Sequence, residues 1–270
     1  MRLLLIRHGQ TPSNIIGALD TAFPGAGLTA LGIRQAEALP EALRGHDVAG
    51  VYASRLVRTQ FTAAPLAHSL GLRTIVREGL EEISAGRFEM AHDKESVLGY
   101  IETVGAWVTG DLGHRMPGGA DGHEFRGRFD SALERIAAEH DDDHLVTVFS
   151  HGAAIRVFTA LATGMGPQAA ADLHIHNTGA GLLSGGPGSG WRLHEWCSEP
   201  LGGAHLRDPG ARDISGEGVE EAEAEVLAEP DPAAGQGTDQ THPALVPAVP
   251  NVLDFSHGGE ADGVFYPAPK

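Results

Sequence analysis

Only one cysteine, Cys197, occurs in the 270 residues. A lone thiol closes no internal disulfide, so nothing in the chain depends on an oxidising compartment, and a cytoplasmic protein is expected. Long apolar runs are missing as well. No stretch reaches the roughly 18 uninterrupted apolar residues of a membrane span. The apolar start, Met1 to Ile6, is shorter than the roughly 7–15-residue apolar core of a signal peptide, so no leader is expected. An excess of positive charge is the third absence. A net charge of −17 repels nucleic acid and anionic lipid, both of which bind through basic patches. Neither nucleic acid nor a membrane is an expected partner. There is no internal repeat.

What is present divides unevenly. From Leu201 onward, thirteen acidic and three basic side chains give a net of −10, most of the chain's negative charge. Gly, Pro, Ala, Asp and Glu dominate there, and such a composition buries too little apolar area to offset chain entropy. The expected organisation is one domain over residues 1–199 and a low-complexity acidic tail over 200–270, disordered or loosely docked. Within the tail, Glu217 to Glu229 could form a short acidic helix, and Leu245 to Leu253 and Val264 to Tyr266 could dock on the globular part. Oligomeric state is not legible.

The first 199 residues alternate between two kinds of pattern. Strand-length apolar runs occur at Arg2 to Ile6, Val48 to Ala53, Leu72 to Val76 and Leu145 to Phe149, and Trp191 to Cys197 alternates like an edge strand after the Gly-rich stretch Leu183 to Gly190. Helical patterns lie between them. Thr29 is placed to N-cap Thr29 to Leu43, with Pro40 as a possible kink. Arg55 to Leu70 and Gly152 to Thr163 also read as helices. Glu124 to Glu139 spaces Phe125, Phe129, Leu133 and Ile136 three or four apart, which makes one apolar face. This alternation is that of an α/β fold.

Two of the strands stop at histidine followed by glycine: Arg7-His8-Gly9, and Ser150-His151-Gly152. Parallel strands deliver their carboxyl ends to one edge of a sheet, where ligands bind in open α/β folds. A guanidinium beside an imidazole suits a phosphoryl group, because the planar fork grips phosphate oxygens and the ring nitrogen can attack phosphorus. Gln10, Thr11 and Asn14 follow as small polar groups able to donate to phosphate from a loop. Arg55 and Arg58 lie where Val51 to Ala53 ends and a helix starts. Basic residues are disfavoured there by the helix dipole unless an anion binds, and Arg58 is the better second clamp. The acidic segment Leu80, Glu81, Glu82, Ile83, with Gly86, Phe88 and Glu89 after it, offers a carboxyl group to protonate a leaving alkoxide.

Together these residues resemble the histidine phosphatase superfamily, the phosphoglycerate mutase-like family. Its blocks are met in order at Arg7, His8, Gly9, Gln10, Thr11 and Asn14; at Leu28, Thr29, Gly32, Gln35 and Ala36; at Ser54, Leu56, Arg58, Thr62 and Ala63; at Leu80, Glu82, Ile83, Gly86, Phe88 and Glu89; and at Ser150, His151 and Gly152. The resemblance ends with Asn177, Thr178 and Gly179 and the strand at Trp191. Two departures stand out. Gly118, Gly119, Ala120 and Asp121 replace the usual Gly-Gly-Glu-Ser, and Met90 follows the glutamate where many relatives have glycine. The resemblance implies a three-layer α/β/α sandwich with a mostly parallel central sheet.

It also implies roles. His8 attacks phosphorus and carries a phosphohistidine; Arg7, Arg58, a protonated His151 and Asn14 surround the phosphoryl oxygens, with Gln10 and Thr11 beside them; Glu82 moves the proton. No cofactor and no metal are expected. The pairs His174/His176 and His114/His123 lack the Cys or carboxylate spacing that completes a zinc site. The implied activity is that of a metal-independent, histidine acid-type phosphomonoester hydrolase acting on a small phosphorylated metabolite. Cofactor-dependent mutases of the family carry a longer insertion than the 69 positions from Glu82 to His151, which disfavours phosphoglycerate mutase-type transfer. A non-catalytic phospho-ligand binding module is a third reading. Substrate choice is expected in Ala91 to Gly122, with Tyr100, Trp107 and Met116, read as a lid over the pocket.

Overall fold

In the first strand, β1 (Arg2–Arg7), alternate residues face opposite ways and both faces are apolar. Leu3 and Leu5 join one hydrophobic cluster with Trp107, Phe125, Phe129 and Phe158. Leu4 and Ile6 join a second with Leu39, Leu43, Ala63 and Leu66. A strand buried on both faces requires helices on both sides, hence the continuous apolar run. The computed structural model of the protein, which describes residues 1–219 together with Ala222 and Ala224, has that three-layer arrangement.

Its other strands are β2 (Val48–Ala53), β3 (Thr74–Val76), β4 (Leu145–Ser150), β5 (Ala180–Gly186) and β6 (Gly190–Cys197). They form one sheet in the order β3-β2-β4-β1-β5-β6, with β3, β2, β4 and β1 parallel and β5 and β6 antiparallel to their neighbours. After β1 come a short helix α1 (Pro12–Ile16) and α2 (Ala30–Ala42). α2 packs with α3 (Val57–Ser69) over the second cluster. The opposite face is covered by α4 (Lys94–Val108), α5 (Gly122–Ala137) and α6 (Gly152–Thr163), with α7 (Pro167–Ala171) beyond. β1 therefore leads to one face of the sheet and its neighbour β4 to the other. The carboxyl ends of these two strands open the crevice at which such sheets bind ligands.

Several expected elements are present with small shifts. Thr29 caps α2, its hydroxyl accepting from the Gly32 amide at 3.0 Å, and the helix runs through Pro40. The anticipated apolar face of α5 is fully buried at Phe125, Phe129, Leu133 and Ile136. The Gly-rich stretch differs from expectation: β5 extends to Gly186, where Gly185 and Gly186 pair with Trp191 and Gly190. Hydrogen bonding to β6 fixes those residues despite their composition.

The segment Ala91 to Gly122 is not a loose lid. Asp93 caps α4 by accepting from the Ser96 amide at 3.0 Å, and Val97, Ile101, Val104, Trp107 and Val108 are buried in the main core with Met116. Of the three residues singled out there, Tyr100 lines the pocket described below. Asp121 forms a capping box with Glu124 at the start of α5, so the departure from Gly-Gly-Glu-Ser retains a helix cap. The acidic helix expected over Glu217 to Glu229 falls largely, and the segments Leu245 to Leu253 and Val264 to Tyr266 wholly, outside the described residues. Among the described residues no helix is long and apolar enough to cross a membrane.

Met90 has φ of +61°, in the left-handed region where glycine carries no Cβ penalty. The side chain is half exposed and contributes little to the core. Met90→Gly is expected to leave the fold intact and to raise unfolding free energy by up to about 1 kcal/mol, measured by urea denaturation at constant m-value.

Candidate active site

Register brings the two histidines together. Arg7 pairs with Ser150 across β1 and β4, so the next residue on each strand, His8 and His151, emerges at the same height. The His8 amide donates to the Ser150 carbonyl at 3.1 Å, and the two rings lie 5.3 Å apart, centroid to centroid. β2 ends in step with β4, and Ser54 Oγ lies 2.7 Å from His151 Nε2. The loop after His8 packs backbone to backbone on α2. A Cβ on Gly9 would lie 2.7 Å from the Gly32 carbonyl oxygen, and one on Gly32 would collide with the Gln10 carbonyl. Glycine is required at both. Thr178, a buried β-branched residue at φ +60°, directs its amide at the Arg7 and His8 carbonyls, 3.2 and 3.3 Å away. Such strain persists only where surrounding contacts enforce it.

His8 Nδ1 is 2.8 Å from the Gly9 carbonyl, which can only accept. The proton therefore sits on Nδ1, and Nε2 carries a lone pair. Burial first, then the guanidinium groups of Arg58 and Arg7, hold the His8 pKa well below the ordinary imidazole value. Burial and Arg58 act on His151 in the same direction. A neutral His151 is thus favoured in the ligand-free pocket; the protonated form that the resemblance implies is the one around a phosphoryl group. His151 Nδ1 is buried without a hydrogen-bond partner. Glu82 stands at the start of α6, where Oε1 accepts from the Ile83 and Ala154 amides, both at 2.8 Å, and Oε2 from the Ala153 amide at 3.2 Å. Burial raises its pKa, outweighing those amides and the nearby Arg58 and Arg7.

Arg7 and Arg58 are almost wholly buried. Arg7 donates from Nη1 to the Ile175 carbonyl at 2.7 Å and grips the Asp213 carboxylate with both terminal nitrogens. Arg58 donates from Nη2 to the Asp20 carbonyl at 2.8 Å, and its Nη1 is 3.6 Å from the Asp20 carboxylate. Asn14 closes a capping box with Thr11 on α1 and donates from Nδ2 to Asp213 at 3.0 Å. One small pocket is lined by His8, Thr11, Asn14, Arg58, Glu82 and Asp213. Gln10 is placed differently: its amide group bridges Thr29 and Asp208 at 2.8 Å each. Arg55 is half exposed and paired with Glu78 and Glu81. The site thus combines an imidazole whose Nε2 lone pair is free, two buried guanidinium groups and a carboxyl group of raised pKa.

The sequence profile of the histidine phosphatase superfamily (branch 1) matches residues 3–199. The chain belongs to that superfamily. It is similar to a PE-PGRS family protein, PE_PGRS11, of Mycobacterium tuberculosis, 38% identical over 217 residues, which are 74% of this chain and 37% of the relative. The chain thus spans little more than a third of that relative's length. It is similar also to a putative phosphoserine phosphatase 2 of Hydrogenobacter thermophilus, 29% identical over 178 residues, 66% of this chain and 86% of that one. Among solved structures, a mycobacterial glucosyl-3-phosphoglycerate phosphatase with vanadate has a TM-score of 0.63 and 25% identity, covering 73% of this chain and 99% of its own. Phosphatase and phosphoglycerate mutase names both occur among the relatives.

Three parts of the site were not legible in sequence. Asp20 lies in an ordinary turn, yet its carboxylate accompanies Arg58. Arg128 on α5 donates to the carbonyls of Gly79, Glu81 and Glu82 at 2.7–2.9 Å and so fixes the loop that carries Glu82. Asp213 is one carboxylate among thirteen acids in the tail. Only a motif around it could have marked it, and there is none. The shifts of the two histidines are open to measurement. Ring NMR of the ligand-free protein should show His8 and His151 staying neutral to well below pH 6.5, and saturating phosphate, by adding negative charge, should raise the His151 pKa.

Proposed function

We propose that the chain is a metal-independent phosphomonoester hydrolase that passes the phosphoryl group through His8 and acts on a small phosphorylated metabolite. The observation that carries this reading is the state of His8: proton on Nδ1, lone pair on Nε2, pKa depressed, and two buried guanidinium groups beside it. A nucleophile that is unprotonated at neutral pH next to cations for an anion is what attack on a phosphate ester requires.

The steps follow from the groups. Arg7, Arg58 and Asn14 hold the phosphoryl oxygens, and His8 Nε2 forms a bond to phosphorus as the ester P–O bond breaks. Glu82, kept protonated by burial, gives its proton to the departing oxygen. His151 gains a proton on Nδ1 once the dianion is in place, and donates to an equatorial oxygen while Ser54 holds its Nε2. Water then enters; Glu82, now a carboxylate, removes a proton as the water oxygen bonds to phosphorus and the P–N bond breaks. Phosphate leaves and His8 returns to its starting state. The positive charge is supplied by side chains throughout. A second opening, bordered by Thr21, Phe23, Ser84, Trp107 and Arg128, also reaches Glu82, and the leaving alcohol is assigned to that side.

The test is release of inorganic phosphate from p-nitrophenyl phosphate and a panel of phosphorylated metabolites, with chelator present. His8→Ala is expected to lower kcat/KM by at least about 10³-fold. Glu82→Gln is expected to cost about 10²–10⁴-fold on alkyl phosphates and far less on p-nitrophenyl phosphate, whose leaving group needs no proton. For the wild type, kcat/KM should rise with pH through a limb below 6.5, where His8 loses its proton. It should fall through a limb above 4.5, where Glu82 loses its own. Folded wild type with no turnover on the panel would favour the mutase reading, tested with 3-phosphoglycerate and bisphosphoglycerate, or a binding role.

A further inference from the structure

The chain beyond the superfamily's matched residues comes back over the pocket. Leu201 donates its amide to the Thr178 carbonyl at 3.0 Å, the Gln35 side chain donates to the Leu206 carbonyl at 2.8 Å, and Gln10 donates to Asp208 at 2.8 Å. Leu206 and Ile214 are buried. The Gly216 carbonyl accepts from the Ile175 amide at 2.7 Å, and a Cβ on Gly216 would collide with the Arg7 guanidinium. The segment 206–218 is thus a strap fitted to the pocket at backbone distance, and residues 212–215 form part of the cavity wall.

At the centre of the strap the Asp213 carboxylate lies in the fork of Arg7 and accepts from Asn14 Nδ2 at 3.0 Å. Ser215 Oγ accepts from Arg7 Nη2 at 3.0 Å. These are the donors assigned above to the phosphoryl oxygens. Across the pocket Arg58 is paired with Asp20, its Nη1 3.6 Å from that carboxylate, but Arg58 Nε and Nη1 and His151 Nδ1 make no hydrogen bond. A planar, singly charged carboxylate therefore fills the Arg7–Asn14 half of an anion site and does not reach the Arg58–His151 half.

We infer that the strap is a built-in competitor, in which the Asp213 carboxylate occupies the Arg7–Asn14 half of the phosphoryl site and must leave before a phosphate ester binds. This rests on the phosphoryl-transfer reading of the pocket. A carboxylate tethered to the same chain acts at an effective concentration in the mM range or above, so it weakens every phosphate ligand by a constant factor. A phosphoryl dianion displaces it because it engages both halves of the site at once, whereas the carboxylate reaches only one. The device sets a threshold: substrates able to recruit Arg58 and His151 as well as Arg7 bind, and simple carboxylates do not.

The experiment uses the full chain, with inorganic phosphate as the probe in calorimetry and p-nitrophenyl phosphate for turnover. Asp213→Asn and Asp213→Ala are compared with wild type and with Asp143→Asn, an equal charge change at an exposed position. Both Asp213 variants should bind phosphate at least about tenfold more tightly and lower KM by a similar factor, while Asp143→Asn stays at the wild-type value. In the wild type, deuterium uptake over residues 207–219 should increase when phosphate saturates the site. Phosphate affinity that is unchanged or weaker in the Asp213 variants, or uptake that does not rise, makes Asp213 a permanent support for Arg7 and overturns the inference. The uptake arm applies even if a variant fails to fold. Tighter phosphate binding without turnover in any form sinks the hydrolase reading alone; turnover that is equal in all forms sinks the competitor alone. No phosphate binding by any form sinks both.

Discussion

Burial of positive charge beside a neutral imidazole is the constraint on which the rest of this structure depends. Arg7, Arg58 and Arg156 are each almost inaccessible to solvent, and taking an ion out of water costs several kcal/mol unless it is compensated. Burial pushes even the Arg156 guanidinium down to about 10. Burial first, and then Arg58 and Arg7, hold the pKa values of His8 and His151 down, so one arrangement both favours an anion and leaves an imidazole lone pair beside it. Asp20 and Asp213 offset part of the cost within the chain. Arg58 Nε and Nη1 make no hydrogen bond within the described chain, which leaves part of that charge for an anion.

Backbone geometry then fixes distances to the tolerance that chemistry requires. In-register parallel pairing sets His8 beside His151, the Gly9–Gly32 contact seats the loop on α2, and the start of α6 presents amides to Glu82. Arg128 on α5 holds the backbone of the Glu82 loop. Because His8, His151 and Arg58 follow a strand end or stand at a helix start, the core that fixes those elements also fixes much of the site. This is why large core residues such as Phe129 and Phe158 matter to a pocket they do not line.

Legibility tracked how local each signal was. Arg7, His8 and His151 drew notice because each stands where a strand-length apolar run stops, Asn14 as a small polar group in the segment that follows, and Arg58 because a cation in a first helical turn is out of place without an anion. α5 was readable from its periodicity. The core face of α4, at Val97, Tyr100, Ile101, Val104, Trp107 and Val108, follows the same spacing and was missed, and the glycines of β5 hid a strand held by pairing with β1 and β6. The placement of Gln10 was not legible for a related reason. A polar residue beside a histidine could face the pocket or its neighbours, and here the side chain contacts Thr29 and Asp208.

The sequence by itself determined the α/β alternation, the superfamily and the chemistry of the pocket, because strand termination, glycine placement and residue type are encoded within a few positions. Tertiary structure alone decided which charges are compensated. Asp20 reaches Arg58 across 38 residues and Asp213 reaches Arg7 across 206, separations over which composition carries no directional information. The protonation states of His8, His151 and Glu82 belong with these. They follow from burial and from cations delivered by other strands and helices, and neither exists until the chain has folded.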